Sequence, residues 1–174
     1  MRISKKALRR LVKEAIDSNR IISERPWSVE YTFKMKGGAQ AAEDSEGPSA
    51  DGFAINMESE SGTKMRIIID SYWNPQTGDQ SGNSIKVEVD GSEVEGGSSY
   101  VPHKFDDGKS QRIMISNTPV SGIVAISHAI DEDSLPIVYL TVPNPFDDDD
   151  DINFELDIIG NGEVDVEMSK HINI

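Results

Sequence analysis

Cysteine is absent from all 174 residues, so no disulfide, thiolate metal site or thiol nucleophile can be built. That absence leaves the redox compartment open, because a secreted chain can also lack bridges. Aromatic residues are few at 6%, which is sparse for a sugar-stacking platform, although Trp27, Tyr72, Trp73 and Tyr100 are its candidates. No apolar run approaches a membrane span. Residues 1–20 lack the unbroken apolar stretch of a secretory signal, so the expectation is a soluble, intracellular protein that keeps its N-terminus. The three histidines, His103, His128 and His171, stand too far apart to suggest a ligand pair. His128 falls within a strand pattern and reads as a packed or hydrogen-bonded sheet residue.

Basic residues are scarce too, once the start of the chain is set aside. Residues 1–20 hold seven bases against two acids, net +5, whereas the other 154 residues hold ten bases against 29 acids, net −19. The summed field of so acidic a body opposes direct binding to nucleic acid or an anionic membrane, while the basic segment is drawn to acidic surfaces.

What is present falls into two parts: a basic segment over 1–22 and an acidic β-domain over 23–174. Ser4 is a good N-cap with Ile3 and Leu8 at the staple positions. Leu8, Leu11, Val12, Ala15 and Ile16 then follow at helical spacing, with Arg9 and Arg10 among the bases flanking the stripe. The spacing predicts an amphipathic α-helix that docks through Ile3, Leu8, Leu11, Val12 and Ile16. Cations in its first turn oppose the helix dipole and its length is marginal in water, so it needs a surface.

Beyond Pro26 the pattern changes to alternation. Trp27, Val29, Tyr31, Phe33 and Met35 share one face of a strand. Residues 37–52 carry almost nothing to bury and read as a long loop, a candidate interface. Eight further strands are predicted over 53–58, 64–72, 84–89, 112–116, 123–130, 137–142, 152–159 and 163–168. Asp90-Gly91, Gly96-Gly97, Asn74-Pro75 and Gly160-Asn161-Gly162 read as turns, the last joining a closing hairpin. About nine short antiparallel strands give an all-β fold, a β-sandwich or jelly roll with an N-terminal amphipathic α-helix.

The site motifs are weak. Gly108-Lys109-Ser110 resembles the end of a phosphate loop, but His103 stands where the leading glycine belongs and Asp106 and Asp107 would repel phosphate. The run Asp147 to Asp151 offers oxygen ligands for calcium, with Asp147, Asp149 and Asp151 as candidates and Asp131, Glu132 or Asp133 as further donors. It is not an EF-hand loop, since Ile152 and Ile158 occupy the glycine and glutamate positions. A solvated acidic loop is the plainer reading. No nucleophile stands out, and 31 acidic residues make any carboxylate pair uninformative.

The opening Met1, Ile3, Ser4, Lys5, Leu8, Arg9, Arg10, Leu11, Val12, Lys13 and Glu14 resembles a segment that begins many otherwise dissimilar proteins of large, mostly marine, tailed bacteriophages. The resemblance covers about 16 of the 174 residues. It implies a non-enzymatic virion structural protein, such as a capsid decoration or another head or tail component. Its partners would be other virion proteins or copies of itself, and it would need no cofactor. The alternative from the β-domain is a calcium- or carbohydrate-binding β-sandwich module.

Overall fold

The computed structural model describes residues 27–36, 52–71, 83–105, 107–118, 122–131, 133–147, 150–159 and 163–173. These form ten strands: β1 (Trp27–Lys36), β2 (Gly52–Ser59), β3 (Lys64–Asp70), β4 (Ser84–Val89), β5 (Ser92–Tyr100), β6 (Gln111–Thr118), β7 (Ile123–Ala129), β8 (Ile137–Pro143), β9 (Ile152–Ile159) and β10 (Glu163–Asn173). The helix read over residues 1–22 and its docking residues lie outside the described residues, as does the loop read over 37–52 apart from Gly52, which begins β2.

Two five-stranded antiparallel sheets face each other, in the orders β10-β1-β6-β7-β8 and β5-β4-β3-β2-β9. Period-two alternation produces this layering. In β1, Val29, Tyr31, Phe33 and Met35 are buried between the sheets, while Lys34 on the other face is exposed. Met57, Ile55 and Phe53 of β2 and Met65, Ile67 and Ile69 of β3 answer them from the second sheet. Phe33 meets Phe53 across the gap at 5.1 Å between ring centroids. Trp27 closes one end of the core edge-on against Phe146 and Phe154, at 6.5 and 6.1 Å.

Two sequence expectations are corrected. The tenth strand is β5, whose residues Ser92–Tyr100 read as turns around Gly96-Gly97. As a sheet edge paired only with β4, it buries little and needs no apolar alternation. Gly96 takes φ +71°, and a Cβ on Gly97 would lie 2.7 Å from the Val94 carbonyl oxygen and 3.0 Å from that of Val87. The glycines therefore mark an irregular, tightly packed strand, and not its end.

The second correction concerns β9 and β10, which form no hairpin. β9 pairs with β2 in one sheet and β10 with β1 in the other. Each caps an edge whose neighbour is buried on its inner face. Phe154 of β9 and His171 of β10 then meet at 5.1 Å across the two edges.

Candidate functional site

Because successive strands run antiparallel, the connections alternate between the two ends of the sandwich. Among the described residues, β1, β3, β5, β7 and β9 therefore close at one end, and β2, β4, β6 and β8 at the other. The three longest connections in the sequence, 37–51, 71–83 and 101–110, thus leave from one end, the long-loop end, at the close of β1, β3 and β5.

The 101–110 connection is fastened from beneath. The Val101 amide donates to the Asn83 carbonyl at 2.9 Å and the Phe105 amide to Asn83 Oδ1 at 3.0 Å. The Gly108 amide donates to the Met35 carbonyl at 3.0 Å, so Gly108-Lys109-Ser110 is a turn over β1. Lys109 pairs with Asp107 at 3.5 Å. Gln111 is the hub. Its buried amide nitrogen donates to the carbonyls of Lys104 and Phe105 at 2.9 and 3.2 Å and to Asp107 Oδ1 at 3.1 Å. Its Oε1 faces His128 Nε2 at 2.7 Å.

With all that donation assigned to the Gln111 nitrogen, its oxygen must accept, and His128 Nε2 carries the hydrogen. The neutral imidazole then leaves Nδ1 as a lone pair, buried and, among the described residues, without a hydrogen-bond partner. Burial pushes the His128 pKa down to about 4, His103 adding to the effect and Asp107 opposing it. Phe105 lies edge-on to the imidazole at 5.2 Å, with Phe33 and Tyr139 also close. His128 is therefore the packed sheet residue its pattern suggests. Burial also raises the Tyr31 hydroxyl to about 12.

The 130–136 turn has its own clamp. Arg112 donates from Nη2 to the Ser134 carbonyl at 2.9 Å and from Nε to the Asp131 carbonyl at 3.4 Å, and pairs through Nη1 with Glu30 at 3.3 Å. Asp131 Oδ1 accepts from the amides of Ser134 and Asp133 at 2.6 and 3.1 Å, and the Ser134 bonds hold its carboxyl below the ordinary carboxylate range. The turn displays apolar side chains. Seven large hydrophobics are exposed among the described residues, and Ile130, Leu135, Ile137 and Val138 are four of them, Leu135 at 87%. Scattered exposed hydrophobics need no account, but a cluster does.

Of the aromatic candidates, Tyr100 is exposed where β5 ends, at the long-loop end, while Trp27 is buried at the opposite end and serves the core. Tyr72 and Trp73 lie outside the described residues. Gln111, Arg112 and Asn83 carried no sequence signal, because each acts through partners remote in the chain.

The aspartate run sits at the short-loop end, hung on the β2–β3 turn. Ser61 Oγ donates to Asp150 Oδ2 at 2.7 Å, which holds that carboxyl below its usual range. The Glu60 amide donates to the Asp151 carbonyl at 3.2 Å, and the Asp150 amide to the Asp147 carbonyl at 3.2 Å. Asp149 lies outside the described residues. Calcium takes six to eight oxygens; among the described residues no three His, Asp or Glu side chains gather to hold a metal. Asp131 and Asp133 cannot join the run, since β8 separates the two connections. What the run is seen to do is tether the β8–β9 connection to the β2–β3 turn.

No protein-family model and no curated protein matches the sequence. Among solved structures, the chain is similar to peanut lectin with a nine-residue peptide, at TM-score 0.52 and 13% identity over 86% of this chain and 73% of that one. Basic winged bean lectin with Tn-antigen follows at TM-score 0.49 and 12% identity, over 75% and 59%. At 13% identity, the likeness to peanut lectin is one of fold: a β-sandwich of the legume-lectin kind.

Proposed function

We propose that the chain is a non-enzymatic β-sandwich binding module that takes a glycan at its long-loop end. The observation that carries this reading is the gathering of the longest connections at one end of a lectin-like sandwich. A rigid scaffold that fastens long connections from beneath is the usual setting for a ligand surface. Tyr100 is 38% exposed there, at the end of the strand that leads into the exposed polar residues His103, Lys104 and Asp107. The non-enzymatic side is supported by His128, whose pKa is strongly displaced but which is sealed beneath Phe105 and Gln111 at 1% exposure, out of reach of a substrate.

The test is retention of the full-length protein on an immobilised glycan panel, with and without calcium, beside Tyr100→Ala and, at the opposite end, Glu93→Ala. Retention on at least one glycan that is lost in Tyr100→Ala and kept in Glu93→Ala is expected. Absence of retention, or retention indifferent to Tyr100, refutes the reading. Calcium dependence would support Asp147, Asp149 and Asp151 as ligands.

A second reading has one observation of its own. The clustered exposed side chains of Ile130, Leu135, Ile137 and Val138 favour a protein contact. That suits an assembly protein docking, as the opening segment's resemblance implies, on other virion proteins.

A further inference from the structure

The cluster on the β7–β8 turn needs an occupant, and charge argues for one. Asp131 and Asp133 lie exposed in the turn and make it acidic. A second copy of the acidic body, net −19, is repelled from this face, whereas residues 1–20, net +5, are attracted. The same segment carries a stripe, Leu8, Leu11, Val12, Ala15 and Ile16, that is marginal as a helix unless an apolar surface receives it. The clamp of Arg112 on Asp131 and Ser134 fixes the turn with Leu135 outward, so the surface is formed before anything binds.

Reach permits docking within one molecule. Val138 pairs with Ser127, Ser127 with Met114 and Met114 with Glu30, three residues along β1 from Trp27 and three strands across. At strand rise and spacing that is roughly 20 Å, and residues 17–26 in extended form span up to about 33 Å.

We infer that the apolar stripe of residues 3–16 docks in cis on Leu135 and on Val138, which faces outward from β8, with its Arg and Lys side chains against the acidic turn. The inference is independent of the glycan reading, which concerns Tyr100 and its neighbours.

The experiment uses the full-length chain. Because the chain has no cysteine, Lys13→Cys accepts a single nitroxide label, and amide signals of the isotope-labelled protein report proximity to it. Loss of signal is expected to be strongest over residues 130–138 and absent at the Asp90-Gly91 turn, which lies at the opposite end. The loss should lessen at high salt, as charge attraction is screened. In Leu135→Ser/Val138→Ser it should disappear, while the Gln111 and His128 amides keep their positions and show that the fold is intact. Signal loss centred on Asp147–Asp151, loss spread evenly over the surface, or loss insensitive to the double substitution overturns the inference. So does loss seen only when the label and the observed nuclei are in different molecules, which assigns the segment to a neighbouring copy.

Discussion

Acidification should find His128 before any carboxylate. The folded protein holds the imidazole neutral: Nε2–H is spent on Gln111 Oε1, Nδ1 has no partner among the described residues, and the pKa falls from 6.5 to about 4. In the unfolded chain the ring regains its ordinary value, so between pH 6.5 and 4 the unfolded state binds the extra proton. Stability is then complete above pH 6.5 and drains away as the pH falls through that window. A gap of about 2.5 units, at about 1.4 kcal/mol per unit, corresponds to roughly 3 kcal/mol by pH 4, of which about 2 kcal/mol is gone at pH 5. Against a stability on the order of 5–15 kcal/mol such a loss is readily measured. The assay is urea unfolding at pH 7, 6 and 5 on wild type and His128→Gln, which keeps an amide hydrogen to give Gln111 but cannot titrate. The variant starts less stable yet should hold a nearly constant midpoint over that range, whereas the wild-type midpoint falls. Asp131 and Asp150 have lowered carboxyl pKa values, so the stability they contribute is lost below the His128 window. Parallel loss in wild type and variant would refute the neutral buried imidazole.

Two further substitutions test the packing of the long-loop end and of β5. Gln111→Leu leaves the carbonyls of Lys104 and Phe105 and the Nε2–H of His128 without their partner; it should cost about 2–4 kcal/mol by chemical denaturation and raise hydrogen exchange through 101–110. Gly97→Ala presses a Cβ on two backbone carbonyls that cannot turn aside; a loss of about 1–3 kcal/mol with weaker amide protection along β5 is expected, and an unchanged midpoint would mean that β5 is not packed as described.

How far the sequence reveals this architecture depends on what each strand buries. β1 announces itself because five alternate positions from Trp27 to Met35 all enter the core, and β9 because Ile152, Phe154 and Leu156 lean on it. β5 is silent because an edge strand with one neighbour can be Ser, Glu and Gly throughout. Gly160-Asn161-Gly162 is local turn chemistry, and the same three residues serve a hairpin or a step from one sheet to the other. The choice lies with β2 and β1, whose buried edges each require a partner, and no short window of sequence contains that competition. Gln111 is unreadable for a related reason: His128, its ring partner, stands 17 residues away.

Strand parity decides which relations within the site a sequence can carry. When consecutive strands run antiparallel, odd and even connections go to opposite ends. A single missed strand therefore transfers every later connection to the wrong end. Leaving out β5 places the β7–β8 turn, with Leu135 and Asp131, at the end opposite to the 37–51 connection, although it lies at the same one. An absolute assignment of loops to ends thus requires every strand, β5 included. Relations between neighbouring connections survive the error, however, because they depend only on the strand between them. Asp131 and Asp147 flank the single strand β8, seven residues long, so their carboxylates stand roughly 20 Å apart at ordinary strand rise, far beyond the reach of one cation, whatever the strand count.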